Sequence, residues 1–146
     1  MHIITLTSDW KDYDYYVASL KGKLLSICPE AIIVDINHNI KTFNTAQAAF
    51  VLRNAYPHFP DDSIHIIAVN SEPEEGGQLV AARKDKQFFL CADNGMLGLL
   101  GGSEPELVVK LKESGDIQSG SFISMSIFAE VACALSKGTQ LDDVGV

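Results

Sequence analysis

Short runs of apolar, mostly β-branched residues alternate along this chain with segments in which apolar residues recur every three or four positions. The runs at 2–7 and 31–36 predict strands that are buried on both faces. The segment between them has the spacing of a helix with one apolar face, which carries Val17, Leu20, Leu24 and Ile27. The pair Cys28-Pro29 predicts the end of that helix, because the residue before a proline is disfavoured in the helical conformation.

Two further helices are predicted from their capping residues. Asn44 is suited to cap a helix that runs to about Tyr56, and Gln47 stands three residues after it, as in a variant of the capping box. The apolar segment Ser126–Ser136 predicts a helix with Ser126 as its N-cap and Gly138 at its C-terminal stop. Helices therefore separate the strands along much of the chain.

Further strands are predicted at Ser63–Val69, Gln78–Arg83, Gln87–Cys91 and Glu106–Leu111. The polar residues 84–86 predict a hairpin between the second and the third of these. Strands separated by crossover helices favour a largely parallel sheet with helices on both faces. We therefore predict one α/β domain over residues 1–146, a three-layer sandwich with a mostly parallel sheet and one antiparallel hairpin.

The chain is acidic, with 19 acidic and 11 basic residues and a formal net charge of −8. This charge repels nucleic-acid phosphates and anionic membrane surfaces, and no basic cluster offsets it, so we expect neither as a partner. No apolar stretch approaches the roughly 20 residues of a membrane span. The N-terminus also lacks the basic and apolar regions of a signal peptide, so we expect a cytoplasmic protein.

The three cysteines are far apart and set among apolar residues: Cys28, Cys91 and Cys133. This pattern predicts buried free thiols in a reducing compartment, rather than a disulfide framework or a zinc site. Three acidic residues, Asp9, Asp12 and Asp14, cluster after the first strand. Nothing else in the sequence completes a coordination shell around them, so we expect no metal.

The most informative candidate for chemistry is Asp9, which ends the first apolar run. A carboxylate at the carboxyl end of a buried strand lies where open α/β sheets bind their ligands, and it can accept two hydrogen bonds from a ribose diol. Asp12 or Asp14 is suited instead to cap the helix that follows. Two aromatic residues, Trp10 and Phe43, are candidates either for the core or for the wall of such a site.

Several motifs in a fixed order are similar to those of one family. They are His2–Trp10 with Lys21-Gly22 downstream, Ile33–His38, Phe43-Asn44 before Ala48–Phe50, Asp93-Asn94-Gly95 and Gly138–Gly145. Over essentially all 146 residues the chain resembles the N-terminal domain of the S-adenosyl-L-methionine (SAM) hydroxide adenosyltransferases, relatives of the SAM-dependent fluorinases and chlorinases. The resemblance implies that Asp9 grips the ribose hydroxyls, that Asp14 lies near the ligand and that Phe43 packs against it. His38, a structural hydrogen-bonding residue in our interpretation, ends a segment that shapes the family's site.

The resemblance also implies that the family's catalytic positions are changed. The water-activating Asp, Arg and His match Asn70, Gly77 and Ile123 in this chain. Asparagine is not a base, glycine has no side chain and isoleucine cannot carry protons, so these positions are degenerate. Asn70 remains a candidate for ligand binding, together with Asp9, Asp14 and Phe43. Whether the chain is an enzyme stays open, because water activation by other residues of the altered loop is an alternative: Glu72, Glu74 or Glu75.

Only the family's N-terminal domain is covered by the resemblance. We therefore expect the second domain, which supplies adenine and methionine contacts to a neighbouring subunit's site, to be absent. The resemblance implies a homo-oligomer, a trimer with the ligand at the subunit interface, and no cofactor, since SAM enters only as a substrate or ligand. We predict a SAM hydroxide adenosyltransferase-like protein that keeps part of a SAM or adenosine site but has impaired or absent water-activating chemistry. The alternatives are a catalytically silent interaction or oligomerisation module and a shortened form of a longer protein.

Overall fold

The computed structural model describes residues 2–11, 15–71, 78–111 and 123–146. The strands are β1 Ile3–Ser8, β2 Ile32–Asn37, β3 Ile64–Ala68, β4 Leu79–Lys84, β5 Gln87–Ala92 and β6 Leu107–Lys110. The α-helices are α1 Tyr16–Ile27, α2 Thr45–Ala55, α3 Met96–Leu99 and α4 Ile123–Ser136. Short 3₁₀ turns lie at Tyr56–His58 and Leu141–Asp143. The predicted alternation of strands and helices is confirmed.

The strands form one sheet in the order β2-β1-β3-β5-β4-β6. Strands β2, β1, β3 and β5 run parallel, whereas β4 is antiparallel to both β5 and β6. The chain passes from β1 outward to β2 and then returns to the other side of β1 for β3. This reversal creates a topological switch point between β1 and β3, and open α/β sheets form a crevice beyond the strand ends at such a point.

Helices cover both faces of the sheet. Helices α1 and α4 pack on each other and share one core cluster, whereas α2 and α3 belong to a second cluster on the opposite face. Successive residues of β3 divide between the two faces, since Ile66 joins the first cluster and Ile67 the second. The predicted three-layer α/β sandwich is thereby confirmed. Within the described ranges, no helix is long and apolar enough to cross a membrane.

The register of β1 against β2 shifts once. Leu6 pairs with Asp35, but Thr7 pairs with Asn37, so Ile36 is an extra residue on β2. An extra residue of this kind bends its strand and redirects the side chains that follow. The shift lies just before the carboxyl ends of both strands, beside the switch point.

Of the two predicted helix caps, one is confirmed and one is wrong. The Asn44 side chain accepts the backbone N–H of Gln47 at 2.9 Å, and α2 begins at the next residue, Thr45. Ser126, in contrast, lies inside α4, which begins at Ile123. Ser126 resembled a cap because serine is a preferred N-cap residue and a run of apolar residues follows it, although the helix begins about one turn earlier.

Replacing Asn44 with alanine should lower the free energy of unfolding by about 1 kcal/mol, because the N–H of Gln47 loses its acceptor. Urea denaturation followed by circular dichroism measures this difference. Asn54→Ala is the matched control, since Asn54 is exposed in the last turn of the same helix and donates only to Phe50 O. Alanine favours the helix at that position, so no comparable loss is expected there. Equal losses in both variants would contradict a specific capping contribution.

The predicted hairpin is present but tighter than expected. Strand β4 continues to Lys84, which leaves a two-residue turn at Asp85 and Lys86, with φ of 49° and 65°. Two central residues with positive φ are typical of a type I′ turn, whose twist matches that of the strands. Lys84 is buried, and its ammonium group donates to Asp85 at 2.8 Å and to the carbonyl of Ser103 at 2.7 Å. These partners allow a charged residue to end the strand inside the protein.

The cysteine prediction is wrong for two of the three residues. Cys28 and Cys133 form a disulfide, with their Cα atoms 5.7 Å apart, while Cys91 is a buried free thiol as predicted. Cys28 directly follows α1 and Cys133 lies in α4, and these two helices pack side by side. The pairing joins residues 105 positions apart, so it depends on tertiary packing and leaves no mark in local spacing.

Candidate functional site

The loops after β1, β2, β3 and β5 meet at the switch point, because these parallel strands end at the same edge of the sheet. Asp9 directly follows β1, and only 7% of its surface is exposed. Its backbone N–H donates to the carbonyl of Ala68 at 3.3 Å, which continues the pairing of β1 with β3. Asp9 is therefore fixed at the carboxyl end of the two central strands.

The Asp9 carboxylate joins the loops that follow β2 and β3. Its Oδ2 atom accepts the backbone N–H of Phe43 at 3.0 Å and that of Asn70 at 3.1 Å. Both donors lie in the left-handed region, with φ of 62° and 49°, which is uncommon for residues with a side chain. The second oxygen, Oδ1, has no hydrogen-bond partner within the part of the chain that the structure describes. Its acceptor capacity is therefore unused by the described residues.

Three residues that the sequence predicts as ligand-binding thus come together: Asp9, Phe43 and Asn70. The Phe43 ring is 66% exposed at the surface, and the Asn70 side chain is exposed as well. Trp10, the other aromatic candidate, is buried in the core and packs edge-to-face on Tyr16, with ring centroids 5.8 Å apart. Of the two aromatic residues, only Phe43 is therefore placed to form the wall of a site.

A chain of polar side chains reaches the same point from β2. Ser8 Oγ lies 2.6 Å from His38 Nδ1, and His38 Nε2 lies 2.8 Å from Asp35 Oδ1. Lys21 donates to the other oxygen of Asp35 at 2.5 Å. Burial acts to raise the pKa of Asp35, but the hydrogen bonds from Lys21 and His38 outweigh it and hold this pKa below its usual value. The predicted hydrogen-bonding character of His38 is confirmed, although sequence reasoning did not find its partners.

The turn at 93–95 adds a contact from β5. The motif Asp93-Asn94-Gly95 follows β5 as a bend, in which Gly95 has a φ of 90°. The Asn94 amide donates at 3.5 Å to the carbonyl oxygens of Val69 and Asn70, so the turn touches the loop after β3. The Asn94 amide therefore connects the Asp93-Asn94-Gly95 motif to the candidate site through the backbone carbonyls of Val69 and Asn70.

The loop after β3 is also connected to the start of α4. Ser71 donates to the hydroxyl of Ser124 at 3.3 Å, and both side chains are buried. These serines directly follow Asn70 and Ile123, two of the three positions that the sequence resemblance aligns with the family's catalytic residues. The fold therefore brings the backbone of these two positions to the same region.

Other predicted positions lie outside the described residues. They are Asp12, Asp14, Glu72, Glu74, Glu75 and Gly77, together with the side chain of Ile123. In the ranges that the structure does describe, no three His, Cys, Asp or Glu side chains gather as a metal site would require. The assembled candidate site therefore consists of Asp9, Phe43 and Asn70. It is supported by the series of hydrogen-bonded side chains that begins at Ser8 and ends at Lys21.

Comparison with known proteins identifies this arrangement. The family model for the SAM hydroxide adenosyltransferase N-terminal domain matches residues 4–145. The chain belongs to this family. This membership agrees with the sequence motifs that resemble the family. The matched domain includes Asp9, whose carboxylate lies at the switch point.

Curated relatives of this SAM hydroxide adenosyltransferase domain have names that refer to SAM. The chain is 29% identical over 157 residues to the (R)-S-adenosyl-L-methionine hydrolase of Methanocaldococcus jannaschii and 26% identical over 147 residues to that of Salinispora arenicola. It is 34% identical over 74 residues to the fluorinase of an Actinoplanes species. These matches cover 99%, 97% and 51% of this chain, but 59%, 56% and 24% of those proteins. The chain thus spans a little more than half the length of the two hydrolases.

Solved structures share the same fold. An uncharacterized conserved protein from Thermotoga maritima superposes with a TM-score of 0.89 at 27% identity, over 98% of this chain and 58% of that one. A conserved hypothetical protein from Thermus thermophilus has a TM-score of 0.76 at 24% identity, over 99% and 57% of the two chains. The second likeness supports the fold alone.

Proposed function

We propose that this chain binds the adenosine part of SAM, or adenosine itself, and that its water-activating chemistry is impaired or absent. The names of its relatives support SAM as the ligand class, since two are (R)-S-adenosyl-L-methionine hydrolases. In this proposal Asp9 accepts ribose hydroxyls, the Phe43 ring packs on the nucleoside and Asn70 borders it. Asp14 stays a fourth candidate from the sequence.

The observation that carries the proposal is the way in which Asp9 is held. One carboxylate oxygen accepts two backbone N–H groups, whereas the other has no partner among the described residues. Among the described residues, this second oxygen is not one of the fully buried polar atoms that lack a partner, so it is accessible to a donor from outside the chain, and a ribose hydroxyl is such a donor. Hydrogen bonds to an ionised acceptor are also stronger than neutral ones, so this atom suits a diol.

The impaired chemistry follows from the side chains at the catalytic positions. Asn70 stands where the family has its acidic residue, and an amide cannot accept a proton from water. Gly77 and Ile123 cannot replace the other two groups. Loss of one acid–base group typically lowers a rate by about 10²- to 10⁴-fold, and groups that act as a unit are lost together. We therefore propose binding with little or no release of adenosine from SAM.

The assembly and location of the protein are also part of this proposal. A homo-oligomer, a trimer by resemblance to the family, would place the site at a subunit interface. The cytoplasmic location stays a prediction from sequence, and the Cys28–Cys133 disulfide weighs against a strongly reducing compartment. The alternative function, a catalytically silent interaction or oligomerisation module, stays a prediction from the sequence.

Replacing Asp9 with asparagine should weaken SAM or adenosine binding by about 10- to 100-fold. The amide keeps one oxygen for the N–H groups of Phe43 and Asn70, but it replaces the second acceptor with a donor. Calorimetric titration of the full chain with each compound measures the affinity, and chromatography of the SAM mixture measures released adenosine. Circular dichroism checks that the variant is folded.

Asp61→Asn is the matched control, because Asp61 is exposed at the opposite end of β3 and the substitution removes the same charge. Its affinity should equal that of the unchanged chain. Binding that is lost only in Asp9→Asn supports the nucleoside site. No heat with either compound would favour the interaction module, and rapid adenosine release would contradict the impaired chemistry.

A further inference from the structure

We propose that His38 is a positioning residue of the candidate site, and that it fixes the direction in which Asp9 presents its unpaired oxygen to a ribose diol. This inference rests on the proposed nucleoside binding for its ligand. Its structural part, the control of the Asp9 carboxylate by His38, is independent of any ligand. That part stands on the hydrogen bonds that His38 makes.

The direction of the hydrogen bonds that His38 makes with Asp35 and Ser8 follows from the groups involved. Asp35 is held anionic and can only accept, so His38 Nε2 carries a proton and donates to it. The Ser8 hydroxyl oxygen already accepts the backbone N–H of Trp10 at 3.3 Å. Its proton is therefore free to be donated to His38 Nδ1 at 2.6 Å. The hydrogen bonds therefore place a proton on Nε2 and make Nδ1 the acceptor of the Ser8 hydroxyl.

The two nitrogen atoms of His38 are thus engaged by two different elements of the protein. Asp35 lies in β2 and is also held by Lys21 of α1, so the Nε2 side is anchored to two regular elements. Ser8 is the last residue of β1, and it is 1% exposed. His38 therefore acts as a strut between β2 and the end of β1, at the residue directly before Asp9.

The same histidine also begins the loop that contacts Asp9. The loop leaves β2 at His38 and reaches Phe43, whose backbone N–H donates to Asp9 Oδ2. One end of this short loop is therefore fixed to Ser8 by a side chain, and the other end is fixed to Asp9 by the backbone. Removing the first connection frees the loop to shift, and the Phe43 contact then no longer defines the carboxylate orientation.

In this arrangement His38 is a positioning residue and not a catalytic residue. In this inference His38 acts without contacting the nucleoside, because both of its ring nitrogen atoms are engaged by Ser8 and Asp35. It acts through Ser8 and Phe43 on the atom that does touch the ligand, in the way that outer residues orient the groups that bind. The expected signature is a loss of affinity that depends on which nitrogen of His38 is replaced.

Two substitutions separate the two nitrogen atoms. His38→Asn places an amide near the position of Nδ1 and can keep the hydrogen bond to Ser8, whereas His38→Gln reaches the position of Nε2 and loses it. We expect His38→Gln to weaken SAM or adenosine binding by about tenfold and His38→Asn to retain most of the affinity. His58→Gln, at an exposed histidine of a 3₁₀ turn, is the control and should bind as the unchanged chain does.

A measurement without ligand tests the structural part. Nitrogen-15 NMR of the unchanged chain should show His38 protonated on Nε2, and hydrogen exchange should show protected amides at Phe43 and Asn70. In His38→Gln the exchange of these two amides should become about tenfold faster, with no change in His58→Gln. A proton on Nδ1, or unchanged exchange in His38→Gln, would overturn the inference.

The binding measurement and the hydrogen-exchange measurement together distinguish this inference from the proposed function. If the unchanged chain binds neither compound while exchange responds to His38→Gln, the nucleoside proposal fails and the positioning of Asp9 by His38 holds. If the chain binds and His38→Gln alters neither affinity nor exchange, the nucleoside proposal holds and the role of His38 fails. Equal losses in His38→Asn and His38→Gln would also contradict it, since the connection to Ser8 would not matter.

Discussion

Removing the Cys28–Cys133 disulfide should lower the free energy of unfolding by about 4 kcal/mol. The bond joins residues 105 positions apart, so it restricts the unfolded chain over most of its length, and the entropy lost on closing a loop grows with that length. Urea denaturation of the double variant Cys28→Ala/Cys133→Ala, and of the unchanged chain under reductant, should each show this loss.

Cys91→Ala provides the control, because it removes a buried sulfur atom without touching the bond. Its stability should still fall when reductant is added, whereas that of the double variant should not respond. Burial raises the pKa of Cys91 to about 12, so thiols must be counted in denaturant, where one is expected before reduction and three after it. Three thiols before reduction would contradict the disulfide.

Acidification from about pH 7 to about pH 4 should destabilise the protein, with about 3 kcal/mol of the loss due to His65 alone. Burial lowers the pKa of His65 from 6.5 to about 4, and the hydrogen bond with Gln87 only partly opposes this. Between these values the unfolded chain binds a proton that the folded chain does not, so stability falls as the pH falls. Above this window the ring is neutral in both states, and it contributes no pH dependence.

The contacts of His65 fix the position of the proton that the neutral ring carries. Thr5 Oγ1 lies 2.7 Å from Nδ1, and Nε2 lies 2.5 Å from the amide oxygen of Gln87. The Gln87 amide nitrogen donates to the carbonyl of Tyr56 at 3.0 Å, which turns its oxygen toward the ring. A second proton, on Nδ1, would require the Thr5 hydroxyl to rotate from donor to acceptor inside the core.

Urea denaturation of His65→Asn across this pH range tests the prediction. The variant starts less stable, but its unfolding free energy should depend less steeply on pH between about 6.5 and about 4. His58→Asn removes an exposed histidine and should keep the slope of the unchanged chain. A slope unaffected by His65→Asn would show that the acid sensitivity arises from other groups.

Much of the fold could be predicted from local patterns. The strands and long helices follow from periodicity, and the Asn44 cap follows from a short motif, because both depend on interactions within a few residues. The strand order could not be predicted, since it depends on which apolar faces pack together. The disulfide was missed for the same reason, because only the packing of α1 on α4 brings Cys28 to Cys133.

The candidate site was predicted in part. The position of Asp9 after the first strand, and the family motifs, pointed to Asp9, Phe43 and Asn70, and the fold brings all three together. The sequence contained no sign that the contacts run through backbone N–H groups, because these depend on loop conformations with positive φ. Ser8 and His38 both lie in motifs that resemble the family. The sequence alone could not show that their side chains are within hydrogen-bond distance.

The register shift in β2 determines how this segment can vary among related chains. Side chains alternate between the two sides of a strand at each residue, so the extra residue Ile36 sets the side on which His38 emerges. A substitution at Ile36 preserves that phase, whereas an insertion or deletion of one residue before His38 turns the imidazole away from Ser8. The length of the segment from Ile32 to His38 is therefore a stricter requirement than the identity of Ile36.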